Sequence, residues 1–480
     1  MSVGNIEQAG SISTDYHMED ALNNNNEHLI TIPREHELKF QLLPDQQLII
    51  EIVYGIAEIF GTELANNIKY IFNNQDIFSI YAVDKTQLKW YTKESAVEPM
   101  ITQSPNSAYA EYKIKIYNLH FALDKMRFTS SQGPNVLVIG GKNTGKTTLC
   151  KTLVSYAIKV KNFTPLYVNL NPTDGIFTPP GCLSATTIYD ILDVTAPNWG
   201  QSATTGVTTI PSTQPIIKNF GLEYIHTNYS LYNTILSQLS IVTNSKIMKD
   251  PLLRRSGCII DTPSLLDKSD MGANEKEHVN KIISQIIKLY NVNVIVILKE
   301  EKDDEDNSNN YEEIIKQQLT SSLSSIKDSI SLLTLPIVKK SNVVEIDDVY
   351  KRFLQRVAIR DYFYGNSLNT VLSPYTVSSS FNKLTVWEPV VYNNDTDEDK
   401  NEEPKLEPVT VNASNLQHAI VAITFAERNA DPDTVLSSSI MGFGLINEVN
   451  DTRKKLRILI PVPGQMPDKA LILTQYRYLE

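Results

Sequence analysis

The chain has 480 residues, 41% apolar and 21% charged, with a net charge of −11. Those values describe a water-soluble globular protein, and the acidic balance excludes a nucleic-acid binder that works through a broad basic face. Cys150, Cys182 and Cys258 are too few for a disulfide framework and lack metal-ligand spacing, so reduced thiols in a nuclear or cytosolic compartment are expected.

Residues 1–28 are polar and contain the run Asn23 to Asn26, which predicts a disordered tail and no signal peptide. From 29 to 117 the chain alternates in short segments: Leu29–Ile32, Glu37–Leu42, Gln47–Tyr54, Glu58–Phe60, Ile80–Val83, Leu88–Trp90 and Tyr112–Tyr117. Turn residues separate them, as in a small antiparallel β domain. Asn118 then stands as the cap of a helix carrying Leu119, Ala122, Leu123 and Met126 at helical spacing.

Near Asn135 the texture changes. An apolar strand, Val136–Ile139, leads into a glycine loop, a helix Thr147–Ile158 and a strand Leu166–Leu170. Later come a strand Gly257–Asp261, a helix Glu275–Tyr290, a strand Val292–Leu298 and helices Tyr311–Ser325 and Val349–Tyr364. This alternation predicts an α/β domain over 118–364, with a P-loop NTPase-type parallel sheet and helices on both faces. The apolar runs suit buried strands and are too short for a bilayer, so no membrane association is expected. Beyond 365, segments Leu384–Val391, Ala419–Phe425, Met441–Val449, Lys455–Ile460 and Leu471–Tyr478 predict a small mixed, β-rich C-terminal domain over 365–480. Two acidic, Asn-rich inserts, Glu300–Asn310 and Asn393–Pro404, read as solvated loops.

The octet Gly140, Gly141, Lys142, Asn143, Thr144, Gly145, Lys146, Thr147 fits G-x-x-x-x-G-K-[ST]. Strand, loop and helix follow in the order that motif requires. Gly140 and Gly145 permit backbone angles and close approaches that a Cβ would block. The loop amides then converge on phosphates, assisted by the N-terminus of the following helix. Lys146 supplies a point charge to the β and γ phosphates, Thr147 a hydroxyl for Mg²⁺, and Thr148 lies near the α phosphate. The expected cofactors are ATP and Mg²⁺. No Asn-Lys-x-Asp segment follows Val292–Leu298, which disfavours a GTPase-type switch.

Several longer strings carry a resemblance to a known family. They are Ala57-Glu-Ile-Phe-Gly-Thr-Glu-Leu64, Cys182-Leu-Ser-Ala185, Asn219-Phe-Gly-Leu-Glu223, Arg255 through Pro263, Ile359-Arg-Asp-Tyr-Phe-Tyr-Gly365 and Tyr476-Arg-Tyr-Leu-Glu480. With the P-loop, they make the chain resemble the polynucleotide 5′-hydroxyl kinase family. Within that family it is most similar to the fungal Clp-type subunits of the pre-mRNA cleavage and polyadenylation factor. The resemblance implies an N-terminal β-sandwich-like domain, a central P-loop domain and a small C-terminal domain. It also implies a nuclear location, a scaffold subunit of the cleavage factor and other 3′-end processing proteins as partners, and pre-mRNA contacted through the complex.

Phosphoryl transfer to an RNA 5′-hydroxyl needs a carboxylate at the attacking hydroxyl and a second for the metal shell. Active members of the resembling family carry both as Asp-x-Asp-x-Gly-Gln after the P-loop helix. Here the strand ends Val168-Asn169-Leu170-Asn171-Pro172-Thr173-Asp174. Asparagine matches aspartate in size but cannot act as a general base. The family's Asn-Thr-x-Gly-Trp segment is replaced by Asp261-Thr-Pro-Ser264. No catalytic residue is therefore assigned, and the expected function is ATP binding by a non-catalytic scaffold subunit. An active RNA 5′-hydroxyl kinase using Asp174 or Asp261 is the alternative.

Asp261 carries two readings, a Mg²⁺ shell residue acting through water or a cap of the turn before Pro263. Arg352, Arg356 and Arg360 share a helix face. The resemblance places lid arginines near the γ phosphate in this segment, while composition alone reads a solvated basic face. The resemblance also implies that Glu37 accepts from the adenine N6 amine, and that Ile77 stands where relatives carry a base-contacting lysine.

Overall fold

The computed structural model describes residues 27–42, 46–73, 77–92, 107–161, 163–191, 193–195, 215–265, 273–300, 311–321, 323–337, 347–365, 372–391 and 404–479. Residues 1–26 of the expected tail, 301–310 and 393–403 of the acidic inserts lie outside them. The chain divides into two compact units, residues 1–59 with 63–105, and residues 60–62 with 106–480.

The smaller unit is built from β1 (Glu27–Ile32), β2 (Glu37–Gln41), β3 (Gln47–Tyr54), β4 (Ala57–Ile59), β5 (Thr62–Glu63), β6 (Lys69–Asn73), β7 (Ile77–Ala82) and β8 (Thr86–Thr92). They form two four-stranded sheets, ordered β1-β8-β3-β6 and β2-β7-β4-β5. Strict alternation sends Leu48, Ile50 and Ile52 of β3 inward, all fully buried, because successive side chains of a strand point to opposite faces. Phe72 of one sheet stacks on Phe78 of the other at 3.8 Å between centroids, and Phe40 meets the edge of Trp90. Aromatic pairs between the inner faces thus close a sandwich.

The larger unit begins with α1 (Ser107–Thr129), which departs from expectation. The segment Tyr112–Tyr117 is helical, not a strand, and Asn118 lies exposed within the helix instead of capping it. Six alternating residues cannot separate a period of 2 from one of 3.6. Ile116, Leu119 and Leu123 are buried while Ile114 faces solvent, so helical spacing decides what is covered.

Then follow β9 (Asn135–Gly140), α2 (Lys146–Lys161), β10 (Leu166–Asn169), β11 (Cys182–Thr187), β12 (Ile216–Asn219), α3 (Tyr229–Lys249), α4 (Pro251–Ser256) and β13 (Cys258–Asp261). Next come α5 (Ala273–Leu289), β14 (Val294–Glu300), α6 (Tyr311–Thr320), β15 (Ser331–Ile337) and α7 (Asp348–Tyr364). The seven-stranded sheet is ordered β12-β11-β10-β13-β9-β14-β15. Five strands, β10 to β15 in that order, run parallel, and β11 and β12 extend the edge in antiparallel fashion. Both faces are covered. Val136 and Val138 of β9 pack with Leu149 and Leu153 of α2, while Leu137 and Ile139 pack with Leu236 of α3 and Ile283 of α5. Burial on both sides is why β9 reads as an unbroken apolar run.

The C-terminal part contributes β16 (Tyr375–Ser380), β17 (Val386–Pro389), β18 (Leu406–Pro408), α8 (Ala413–Leu416), β19 (Ala419–Glu427), α9 (Pro432–Ser437), β20 (Ile440–Asn450), β21 (Lys455–Ile460) and β22 (Lys469–Arg477). Its sheet is ordered β16-β21-β20-β19-β22-β17-β18. Phe443, Leu445 and Ile472 belong to the same buried cluster as Leu137 and Ile139, so the C-terminal sheet shares a core with the P-loop sheet. Tyr362 of α7 fastens this junction: its hydroxyl accepts from the Phe443 backbone N–H at 2.9 Å, and its ring meets the Phe443 ring edge-on.

Candidate functional site

The loop from Gly140 to Lys146 leaves the C-terminal end of β9, the middle one of the five parallel strands, between β13 and β14. Its two key glycines act differently. A Cβ on Gly140 would stand 2.6 Å from the Thr144 hydroxyl and 3.0 Å from Leu298 Cβ, so close packing demands glycine there. Gly145 has φ of +84° with nothing within 4 Å of an added Cβ, so conformation demands it and the space beside it stays open for a phosphate. Asn143 also adopts the left-handed region at φ 59°, as short polar residues can. Thr144 Oγ1 donates to Gly141 O at 2.9 Å and closes the loop.

Lys146 is buried, and its ammonium donates to Gly141 O at 2.6 Å and to Ser264 Oγ at 3.3 Å. The Thr147 hydroxyl donates to Asp261 Oδ2 at 2.6 Å, and Tyr167 OH donates to the same oxygen at 2.9 Å. Asp261 takes no part in capping the turn before Pro263. Its other oxygen, Oδ1, is buried without a hydrogen-bond partner. Burial pushes this carboxyl up to about 6, with the charge of Asp174 acting the same way against the Thr147 bond and the Lys146 charge. An orphaned carboxylate oxygen beside a threonine hydroxyl at a helix start is a donor set for a hydrated divalent cation. The loop's amides and Lys146 suit the phosphates such a cation would bridge. The residues present therefore fit a nucleotide and its metal.

Among the described residues no group of three or more His, Cys, Asp and Glu side chains stands together as a protein-only metal cage. A P-loop metal site needs none, because phosphate and water supply most of its ligands.

Asn169 and Asn171 build a closed turn. The Asn169 amide, fully buried at the end of β10, donates to Asn171 O at 3.2 Å and to Asp174 O at 3.3 Å, while its Oδ1 accepts from Asn171 N at 3.0 Å. Asn171 Nδ2 donates to Asp174 Oδ2 at 2.7 Å, and its Oδ1 accepts from the Thr173 hydroxyl at 2.9 Å. Gln355 of α7 donates to Thr173 O at 3.1 Å, and Ala358 packs against Gly175. Burial raises the Asp174 carboxyl above the ordinary range, opposed by its bonds and by Lys351 and Lys146. An aspartate at 169 would present no N–H to these two carbonyls.

The arginines of α7 point elsewhere. The helix buries Gln355, Ala358, Ile359 and Tyr362 and exposes Arg352, Arg356 and Arg360. Arg352 pairs with Glu223 at 3.5 Å, Arg356 donates to Leu479 O at 3.0 Å, and Arg360 pairs with Asp361 at 3.5 Å. Lys142 lies 3.4 Å from Asp348 at the start of α7. Thr148 is exposed on α2. Glu37 opens β2 in the smaller unit, largely buried and opposite Tyr81 in register. Ile77 opens β7, opposite Gln41.

Sequence reasoning missed Tyr167 and Ser264. Tyr167 sits two residues before Asn169 on one strand, hence on the same face, and β10 lies in register with β13 so that Asn169 stands opposite Asp261. That adjacency of strands was the signal, and it is a tertiary one.

Residues 31–130 match a family model described as the N-terminal beta-sandwich domain of polyadenylation factor. Residues 140–365 match the mRNA cleavage and polyadenylation factor CLP1 P-loop, and residues 372–480 the pre-mRNA cleavage complex II protein Clp1. The mRNA cleavage and polyadenylation factor CLP1 of Vanderwaltozyma polyspora is 47% identical over 455 residues, covering 94% of this chain and 95% of that one. Its counterpart in Saccharomyces cerevisiae S288c is 46% identical over 464 residues, covering 96% and 97%. A solved structure of the wild-type Clp1p–Pcf11p complex superposes with a TM-score of 0.81 at 43% identity, over 95% of this chain and 99% of that one. A second, described as an extended Pcf11p–Clp1p interface and the structural basis for ATP loss in a glycine-to-arginine mutant, gives 0.82 at 44%, over 95% and 100%.

Proposed function

The chain belongs to the Clp1 family of mRNA cleavage and polyadenylation factors, and from that premise we propose that it is an ATP-binding, non-catalytic subunit of the nuclear pre-mRNA cleavage factor. In this reading it works in mRNA 3′-end cleavage and polyadenylation, with a Pcf11p-type scaffold subunit as its partner and pre-mRNA reached through the complex. Gly140 to Thr148 hold the phosphates, Thr147 and Asp261 the Mg²⁺ shell, and Glu37 the adenine N6 amine. The domain limits of the same proposal are those expected from the sequence, 29–117, 118–364 and 365–480, with the first boundary moved ahead of α1 because Ser107–Thr129 is one helix.

One observation carries the non-catalytic part. Asn169 spends its amide on Asn171 O and Asp174 O, so the position where active kinases place a carboxylate is committed to holding a turn. Bound Mg²⁺·ATP would supply charge and bridging contacts. The chain's own groups then do the rest: loop amides and Lys146 grip phosphate, Thr147 and Asp261 orient the metal's waters, and Gln355 keeps the 171–174 turn against α7. A ligand that binds the native state alone stabilises it by mass action, so nucleotide serves here as a structural ligand.

A second reading, an RNA 5′-hydroxyl kinase, has Asp261 in its favour, a carboxyl near pH 6 with one oxygen uncommitted. One experiment separates the two. The purified protein is denatured and released nucleotide identified, and labelled γ phosphate is offered with a 5′-hydroxyl oligonucleotide. Unhydrolysed ATP and no transfer support the scaffold reading. Transfer abolished by Lys146→Ala overturns it, and so does protein that carries no nucleotide.

A further inference from the structure

At the opposite end of the parallel strands from the P-loop lies a cavity of about 150 Å³. It is lined by Gly133 and Asn135 at the start of β9, Asn293 before β14, Asn244 and Met248 of α3, and Arg254 of α4. Most of its polar groups are already engaged. Asn135 Nδ2 donates to Tyr290 O, Asn293 Oδ1 accepts from Asn135 N, and Asn244 Nδ2 donates to Leu289 O. Arg254 differs. Its Nε is buried without a partner, and among the described residues its guanidinium makes no ion pair. The neighbouring Arg255 is used up on Arg127 O and Phe128 O. A guanidinium is always charged and presents a planar fork of donors, so an unmatched one in a pocket selects a carboxylate or phosphate.

The surroundings narrow the ligand. Ile241 and Met248, seven residues apart on one face of α3, are 68% and 61% exposed, and Leu252 of α4 continues the stripe at 50%. Residues 245–256 carry Lys246, Lys249, Arg254 and Arg255 against Asp250 alone, in a chain whose net charge is −11. Asp250 is itself occupied, accepting from Leu252 N and Leu253 N as a helix cap. Pockets that hold nucleotide-sized molecules run to about 300–1,000 Å³, so this one has room for a short acidic side chain and little more. Aliphatic side chains, with no exposed ring among them, offer a base nothing to stack on.

We propose that the face formed by α3 and α4 docks an acidic, aliphatic-rich segment of a partner protein, seating an Asp or Glu side chain on Arg254 while its apolar residues lie along Ile241, Met248 and Leu252. The surface is separate from the nucleotide site and does not depend on whether ATP is turned over. Arg254 sets specificity, the stripe supplies buried area, and Lys246 and Lys249 steer the approach.

Fluorescence anisotropy on the full chain tests this with three labelled probes: a peptide of repeating Glu-Leu, its Gln-Leu counterpart and a single-stranded uridine oligonucleotide. The Glu-Leu peptide is expected to bind at least about tenfold more tightly than the Gln-Leu peptide, as a matched charge pair in a pocket allows. Arg254→Gln removes that preference, whereas Lys249→Gln, which deletes the same charge from an exposed position, keeps most of it. Met248→Glu weakens the Glu-Leu peptide without touching Arg254. Unchanged thermal melting of each variant shows that folding is intact. Equal binding of the two peptides, losses of equal size in Arg254→Gln and Lys249→Gln, or tighter Arg254-dependent binding of the oligonucleotide would each overturn the proposal.

Discussion

Thr147 and Asp261 are joined by a 2.6 Å hydrogen bond that ties the first turn of the P-loop helix to the end of the adjacent strand. The bond leaves Asp261 Oδ1 unmatched and the carboxyl near 6. In the unfolded chain an aspartate titrates near 3.9. Between those values the native state holds more protons than the unfolded state, so stability without nucleotide falls as pH rises from about 4 to about 6, then levels off. Asp261→Asn removes that slope. Above about pH 7 the variant should exceed the parent by up to about 3 kcal/mol, and below about pH 4 the two should agree. Urea titrations across this range measure it. A parent curve that rises from pH 4 to 6 relative to the variant contradicts the assignment.

Asn169→Asp should not restore phosphoryl transfer. It deletes donation to Asn171 O and Asp174 O and sets an anionic oxygen against both carbonyls. The expected cost is about 2–4 kcal/mol. Denaturant midpoints give the stability change, and labelled γ phosphate with a 5′-hydroxyl oligonucleotide gives the activity, including in the double variant with Asn171→Asp. A stable, active Asn169→Asp protein would show that the turn is not what holds the site.

Gly140→Ala and Gly145→Ala should fail differently. At Gly140 the methyl meets the Thr144 hydroxyl and Leu298, an overpacking that costs about 1–3 kcal/mol. At Gly145 it meets nothing, and the cost is that of forcing φ of +84° on alanine, about 1 kcal/mol. Nucleotide content should fall in Gly145→Ala beyond what its modest stability loss explains, because the loop amides turn away from the phosphates.

Removing the basic face of α7 tests the lid reading. Arg352, Arg356 and Arg360, themselves exposed, reach Glu223, the Leu479 carbonyl and Asp361. Alanine at each should change stability by no more than about 1 kcal/mol and leave nucleotide content unaltered. Loss of nucleotide in any of them would bring that residue back into the site.

Phe443→Ala removes a fully buried ring from the junction of the two large sheets. A cost of about 3–5 kcal/mol is expected, lowering the unfolding of the P-loop sheet along with the C-terminal one. Hydrogen exchange at β9 and β20 should accelerate together. Protection lost only in β20 would mean that the two sheets unfold independently.

The sequence disclosed what depends on local rules. The strand-loop-helix at Gly140 to Thr147 was legible because backbone angle, charge and hydroxyl must fall at fixed offsets in such a loop. Four of the five parallel strands, β9, β10, β13 and β14, were legible because burial on both faces leaves apolar runs. Strands β11, β12 and β15 and helix α3 were not read. Three of the six residues of β11 are Ser or Thr, yet all six are buried, so their placement follows from neighbours and not from composition. Helix α3 carries buried Leu231, Ile235, Leu239 and Thr243 at good spacing, but its many Ser, Thr and Asn residues weaken the local preference. The asparagines at 169 and 171 were visible in the letters. What their amides do instead was not, because it depends on which carbonyls the folded turn brings within reach.

The bonds of the Asn169 amide also bear on descent. Asparagine and aspartate codons differ by a single base, so the change to aspartate is always within reach of chance. The folded turn penalises it, since a carboxylate there would set an anionic oxygen against the two carbonyls, of Asn171 and Asp174, that accept from Nδ2. A lineage that rebuilt the carboxylate would first need to reshape residues 171 to 174 and their tie to Gln355. On the non-catalytic reading proposed above, a chain with aspartate at 169 and the turn otherwise unchanged is a less stable protein with no transfer activity gained.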